Sequence, residues 1–507
     1  MKKMRKLVAM GAGLLALTSL TGCGSDVPDD GYLIKVWGTF NDTYGAIVDK
    51  AIKKMKELHP EYTIRYTKQT GMGYNELADA VTKGFAAGDY PDAVVAYPDN
   101  VANFIMAGKA LDVKPYMQDE EIGWDSEDMA DIPEAYIEEG ESYFRKGMFS
   151  VPLCKSTEAM YYNRDVLINL NLSDIDDEIN SSQPLDDNYL QHLTWEELFG
   201  KLCPALVKYD QTVEKILTPT SEYEEKWAIV GYDSDDNFFI TLAEQYGLPY
   251  TSLNPTTKLG SVDFCVKEGE NVTVNEGYMD LMKMLANAYQ NKYLTTKGII
   301  AKNVNYVSTG GGMLFSIGST GGVSYQFSST SKFDVGVAPV PQRAKTGTTE
   351  WDEDNIKLIN QGPSLAFLKR GEGDVRDLRA RGAWMFYDIW SSVEINSEWS
   401  QTSGYTPIRN SVTMEPSYLA YKDTTSKELH TLDMLTARNA QYVAGTLDYL
   451  YSSPVFYGSS KARTAVAAII ADILKGSVNG TTKMDVESAA FRTLVKNIFG
   501  KAYDNAI

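Results

Sequence analysis

The chain has 507 residues, with 48 Lys and Arg against 68 Asp and Glu, for a formal charge of −20. At about 100–200 residues per domain, that length calls for two or more domains or lobes, each able to bury a real core. So acidic a surface repels nucleic acid and anionic lipid, and nucleic acid is not an expected partner; the charge by itself names no ligand.

Taken in order, the chain opens with a basic cap of Lys2, Lys3, Arg5 and Lys6, then an uncharged run over 7–20. This is the pattern of a secretory signal peptide. The run is shorter than the ~20 residues a permanent helical span needs. It ends in Leu20-Thr21-Gly22-Cys23, which resembles the bacterial lipobox. That resemblance implies cleavage after Gly22, so that 1–22 is removed, and lipidation of the Cys23 thiol with acyl chains such as palmitate. The mature protein is then a lipoprotein, anchored in the cell membrane by lipid and facing outside; acyl chains hold firmly only as a set. Residues 23–31 are small, acidic and proline-containing, and read as a flexible stalk. Cys154, Cys203 and Cys265 are widely spaced and read as buried free thiols, with one bridge left open.

Ordered structure begins with a β-rich run over 32–37. Asp42 or Thr43 could cap the next helix, in which Ile47, Ala51, Met55 and Leu58 share a face. Tyr62, Ile64 and Tyr66 alternate with polar residues as in a half-buried strand. A helix follows over 74–87, then a strand over 91–97. Strand–helix–strand–helix–strand calls for a parallel sheet covered by helices, with ligands bound beyond the carboxyl ends of its strands. That places 37–40, 70–74 and 97–100 on one rim. Further on, 119–141 reads as acidic helix and loop, 171–187 as a polar surface insertion, and Thr194 as the cap of a helix. Residues 338–361 read as loop, 384–399 as one helix with aromatics facing the core, and 466–473 and 491–498 as two closing helices.

Motifs of catalysis are absent. The sequence has no His-Glu-x-x-His, no Gly-x-Ser-x-Gly and no phosphate-binding Gly-x-x-x-x-Gly-Lys. His59, His192 and His430 suggest no metal trio, and no cofactor is expected. Asp233-x-Asp235-x-Asn237 with Glu244 approaches a calcium loop. Phe238 stands where the sharp turn needs glycine, so a turn before a helix over 238–245 is the better reading. Gly310-Gly-Gly312 and Gly318-Ser-Thr-Gly-Gly322 flank a short apolar run; such glycines either cradle phosphate or allow tight turns.

Several stretches together resemble the family 1 extracellular solute-binding proteins, the group that includes the maltodextrin and glycerol-phosphate receptors of ABC importers. They are Tyr90-Pro-Asp-Ala-Val-Val95, Gly147-Met-Phe-Ser-Val-Pro152, Glu158-Ala-Met-Tyr-Tyr-Asn-Arg-Asp165, Thr194-Trp-Glu-Glu-Leu198, Gln361-Gly-Pro-Ser-Leu-Ala-Phe367 and Ser403-Gly-Tyr-Thr-Pro-Ile-Arg409. The strand over 312–318 adds to them. Their order over 32–410 makes the case.

The resemblance implies an α/β, two-lobe, periplasmic-binding-protein-like fold of type II. Each lobe is a mostly parallel sheet covered by helices, with the ligand cleft between them. Lobe 1 is expected over 32–149 plus 361–410, and lobe 2 over 150–360 plus 411–507, with crossings near 149–151, 360–362 and 409–411. The implied function is a solute receptor with no enzymatic activity. It closes on a sugar or oligosaccharide by hinge motion and delivers it to the transmembrane subunits of an ABC permease; a monomer is expected. Candidate ligand residues are Trp37, Thr39, Tyr97, Asp99, Glu158, Ser319, Thr320 and Tyr405, with Trp227 or Tyr232 as further stacking faces. Glu158 takes the place of a sugar-contacting carboxylate. Ser319 and Thr320 stand where many relatives place a tryptophan, which argues against a long maltodextrin. An anionic ligand such as glycerol phosphate or a glycerophosphodiester is the alternative. A surface glycoside-processing enzyme and an adhesin are the rivals from other classes.

Overall fold

The computed structural model describes residues 30–168, 170–172, 185–217, 226–301, 313–327, 333–422 and 431–507. The leader, Cys23, Gly310–Gly312, His430 and most of the 171–187 insertion lie outside the described residues.

Two five-stranded sheets carry the fold. The first has the order Thr63–Lys68, Leu33–Gly38, Ala93–Ala96, Ser364–Phe367, Ser150–Pro152. Its first three strands are parallel, with Leu33 opposite Thr63 and Val36 opposite Ala93. Ser364–Phe367 runs antiparallel to both its neighbours. Helices Asp42–Leu58 and Tyr74–Ala87 make the crossovers, as alternating strand and helix patterns require. The first buries Ile47, Val48, Ala51 and Met55. Its cap is Asn41, just ahead of the expected Asp42 or Thr43; the Asn41 side chain accepts from the Tyr44 N–H at 3.0 Å.

The second sheet has the order Leu294–Thr296, Val230–Tyr232, Phe315–Ser319, Glu158–Asn163, Val335–Pro339. Here Glu158–Asn163 is the antiparallel member, so each sheet is mostly parallel with one reversed strand. The two sheets serve separate apolar cores. The closing helices Ser459–Gly476 and Ala489–Ala506 cover the second.

Ser150–Pro152, expected to open the second lobe, pairs in the first sheet instead. The chain leaves that sheet only after Pro152. Three segments then run side by side between the sheets: Lys155 bridges Thr406, and Ser156 bridges Gln361. The expected single helix over 384–399 is two, Gly373–Trp390 and Val393–Ser403, parted at Ser391 and Ser392. Their tryptophans are core: Trp384, Trp390 and Trp399 are all fully buried. Cys154, Cys203 and Cys265 are buried free thiols. Among the described residues no helix is long and apolar enough to cross a membrane.

Candidate functional site

Between the lobes lies a cavity of about 530 Å³. The first lobe contributes Tyr74, Asn75, Glu76, Tyr97, Asp99 and Asn100; the second contributes Ser234, Asp236, Asn237, Ser460, Arg463 and Thr464. Gln361, in a crossing segment, completes the wall. Such a volume falls within the ~300–1,000 Å³ of small-molecule sites.

Four helices begin at this cavity: Tyr74–Ala87, Pro98–Met106, Asp235–Gln245 and Ser459–Gly476. None of the four has a side-chain cap. Elsewhere Asn41, Asp125, Thr194 and Ser488 cap their helices, while Glu134–Glu141, Gly373–Trp390 and Val393–Ser403 also lack a side-chain cap. The first N–H groups of a helix have no partner inside it. Pro98 has no N–H, and those of Asn100 and Ser459 already bond the Tyr97 and Phe456 carbonyls, so the donors for a ligand come from the remaining first-turn groups. Glu76, Asp99 and Asp236, in three of the first turns, balance that with acceptors.

Arg463 is the cation of the cavity wall, and it is already engaged. Its Nε donates to Asp236 Oδ2 at 2.7 Å, and a terminal nitrogen donates to Asn237 Oδ1. Burial pushes Asp236 up, but the Arg463 charge and a hydrogen bond from Ser234 hold it below the ordinary carboxylate range.

Behind the wall sits Glu158, 1% exposed. Tyr232 Oη donates to its Oε2, and Asn237 Nδ2 to its Oε1 at 3.0 Å. Burial pushes the Glu158 carboxyl up to about 7, against the lowering effect of those two bonds. Each oxygen thus has a partner inside the protein, and Glu158 is not among the residues that line the cavity. It acts through Asn237, which lines the cavity and also donates to Gln361 Oε1 at 2.5 Å.

Of the other expected residues, Tyr97 and Asp99 line the cavity. Asp99 Oδ1 accepts from Ser459 Oγ at 2.5 Å, a contact from one lobe to the other. Tyr74, which lines the cavity, meets the Tyr97 ring edge-on at 5.3 Å, while Thr39 and Tyr405 are not among the lining residues. Trp37 instead packs on the first-lobe core, and Trp227 and Tyr232 are buried in the second. Ser319 Oγ donates to Ser156 Oγ at 3.2 Å, and the buried Thr320 hydroxyl accepts the Thr157 N–H at 3.1 Å. These two clasp a crossing segment rather than face the cavity.

The glycines after Ser319 have a packing reason. A Cβ on Gly321 would come within 2.5 Å of the Tyr405 ring, and the Thr320 N–H is already bonded to the Thr157 carbonyl. The Asp233–Glu244 segment is likewise structural: its helix starts at Asp235, three residues earlier than expected. Asp235 accepts from Thr296 Oγ1 at 2.5 Å and from the Gly298 N–H at 2.7 Å. Asn237 faces Glu158. Among the described residues no cluster of three or more His, Cys, Asp or Glu side chains could hold a metal.

The comparisons with known proteins fit this geometry. Residues 50–425 match the model of a family described as bacterial extracellular solute-binding protein. The chain belongs to that family. Its members are binding proteins, and the enzyme reading falls away with the match. No curated protein sequence matches the chain significantly. Among solved structures it is similar to UgpB from Mycobacterium tuberculosis in complex with glycerophosphocholine, at 16% identity and TM-score 0.61 over 94% of this chain and 99% of that one. It is similar to the sugar-binding protein MalE of Xanthomonas citri at 15% identity and TM-score 0.61, over 93% and 98%. The cyclic alpha-maltosyl-1,6-maltose binding protein of Arthrobacter globiformis gives 14% identity and TM-score 0.60, over 93% and 99%. At such identities the likeness is one of fold: two α/β lobes flanking a cleft.

Proposed function

We propose that this solute-binding protein is the receptor of an ABC importer, held outside the membrane by lipid on Cys23, and that its solute is a neutral sugar or short oligosaccharide. One observation carries the sugar reading. The cavity wall offers uncapped helix N–H groups, amides and hydroxyls beside three carboxylates, and its arginine is already paired. Sugar hydroxyls both donate and accept, and such a wall supplies partners for each role. A phosphate would face Glu76, Asp99 and Asp236 with no free cation in the wall to offset them. The relatives named above bind sugars in two cases and glycerophosphocholine in the third, so the phosphodiester is the competitor to test. Binding that favours the closed arrangement would present that arrangement to the permease subunits.

A thermal-shift and calorimetric panel on residues 24–507 decides between them. It should contain mono-, di- and oligosaccharides, sugar phosphates and glycerophosphocholine. A saccharide present at 100 times its Kd should stabilise the fold by about 2.7 kcal/mol. Stabilisation by phosphate-bearing compounds alone would overturn the neutral-sugar reading. Mass analysis of the native amino terminus tests the anchor: a diacylated cysteine is expected, and an unmodified terminus would remove it.

A further inference from the structure

The second crossing changes partners between two neighbouring residues. Gln361 exchanges both backbone hydrogen bonds with Ser156 at 2.9 Å, within the ribbon that continues into the first sheet. The Asn360 N–H instead bonds the Tyr451 carbonyl at 2.8 Å, and Leu358–Ile359 pairs with Leu450–Tyr451, with Ile359 and Tyr451 on the second-lobe core and Leu450 on the first. The next residue must be glycine. Gly362 has φ +100°, and a Cβ there would lie 2.0 Å from the Cys154 carbonyl oxygen. The change of partner is thus confined to the peptide joining Asn360 and Gln361.

Both side chains straddle that point, in opposite directions. Asn360, on the second-lobe side, reaches back so that its Nδ2 donates to Glu139 Oε1 at 3.1 Å. Glu139 belongs to the first-lobe helix Glu134–Glu141, and is 4% exposed. Its other oxygen accepts from Lys155 Nζ and from Ser364 Oγ. Lys155 also donates to the Gly362 carbonyl at 3.2 Å. Gln361, on the first-lobe side, reaches forward: Nε2 donates to the Thr157 carbonyl at 3.2 Å, and Oε1 accepts from Asn237, which Glu158 holds. Each crossing residue is therefore gripped by a buried carboxylate of the opposite lobe, Asn360 directly and Gln361 through one amide.

We propose that Asn360 and Gln361 are the positioning residues of lobe closure, their crossed side chains setting the angle at which the two lobes meet. A hydrogen bond that spans a bend resists bending, whereas one within a single ribbon does not. Because Asn237 and Gln361 both line the cavity, a solute that touches them acts on the pivot itself. The proposal rests on the reading that the lobes close on a solute, but its test needs none.

Small-angle X-ray scattering of the solute-free protein reads the lobe angle as the radius of gyration. Asn360→Ala and Gln361→Ala should each raise it above the wild-type value, and the double substitution should raise it further. Ser364→Ala removes a hydrogen bond to the same Glu139 carboxylate without spanning the pivot, so it should lower the melting temperature and leave the radius unchanged. Gln361→Met, of similar volume, covers the case in which an alanine variant fails to fold. Unchanged radii in the crossing variants, or equal opening in Ser364→Ala, would overturn the proposal. Since no solute is added, a negative solute panel and a negative pivot test remain distinct results.

Discussion

Each lobe buries a carboxylate at the head of a strand, and the two are held by different means. In the first lobe Asp92 receives Arg370 bidentately, Nε to Oδ1 at 2.9 Å and a terminal nitrogen to Oδ2 at 2.8 Å. The Lys35 N–H adds a bond of 2.7 Å, and Arg370 also donates to the Leu33 carbonyl. In the second lobe Glu158 accepts only from neutral donors, Tyr232 and Asn237. Burial raises both carboxyls above their ordinary range. A charge pair in a fixed fork ties two neighbouring strands and the segment after the returning strand into one geometry. A carboxyl held by a phenol and an amide instead passes orientation outward, to a side chain that meets the solute. Of these two carboxylates, Asp92 serves the scaffold and Glu158 the cleft.

The sharpest way to break this contrast is Arg370→Met. It strands Asp92 at 3% exposure without its cation, and removing one partner of a buried pair costs about 3–5 kcal/mol. Urea denaturation of the full chain should show that loss. A loss below about 1 kcal/mol would mean that the pair is not what joins these strands.

Glu158 should announce itself through pH. Its folded-state value of about 7 lies above the ordinary 4.5, so the folded form keeps a proton that the unfolded chain gives up. The stability this contributes is fully present below pH 4.5 and is lost as pH rises through 7. At 1.36 kcal/mol per unit the loss is at most about 3 kcal/mol. Denaturation at pH 5 and pH 8 should differ by less in Glu158→Gln than in the wild type. Equal differences would show that another group dominates.

The scaffold half of this contrast was the more legible in the sequence. Period-2 alternation at Tyr62–Tyr66 and the apolar stripe Ile47, Ala51 and Met55 report burial directly, and burial is what places strands and helices. Thr194 capped its helix as expected, because a cap is a local arrangement. Tyr97 and Asp99 followed from the rule that ligands meet the carboxyl ends of parallel strands. Arg463 and Ser460 were missed, since they reach the cleft from a helix some 360 residues away in sequence and nothing near them marks the contact. Asn237 was noticed only within a near-miss calcium motif. Glu158 lies behind the cavity wall, turned to Tyr232 and Asn237, and spacing does not say which way a carboxylate turns. Trp37 was assigned to the cleft from its strand end, yet alternation turns its ring into the first-lobe core.

A third, smaller effect probes the cleft's packing. Gly321→Ala places a methyl group 2.5 Å from a Tyr405 ring carbon, and Tyr405 is backed by Trp399, stacked at 6.4 Å. Overpacking of this kind costs about 1–3 kcal/mol. The melting temperature should fall, and Tyr405→Ala in the same chain should recover part of the loss by opening space. No recovery would place the strain elsewhere.

The smallest effect separates scaffold from cleft most cleanly, because it compares two helix starts of similar chemistry. Asn41 caps Asp42–Leu58 in the first lobe, so Asn41→Ala should cost about 1 kcal/mol. Ser234 precedes Asp235–Gln245 in the second, but its hydroxyl donates to Asp236 at 2.6 Å instead of capping the helix. Ser234→Ala should therefore change stability by no more than about 0.5 kcal/mol. Whatever it loses should appear in affinity for the saccharide found by the panel, because Ser234 lines the cavity and holds the carboxylate that engages Arg463. If Ser234→Ala cost as much stability as Asn41→Ala and left affinity untouched, its helix start would be scaffold like the other. The uncapped turns around the cavity could then no longer be read as donors held ready for a solute.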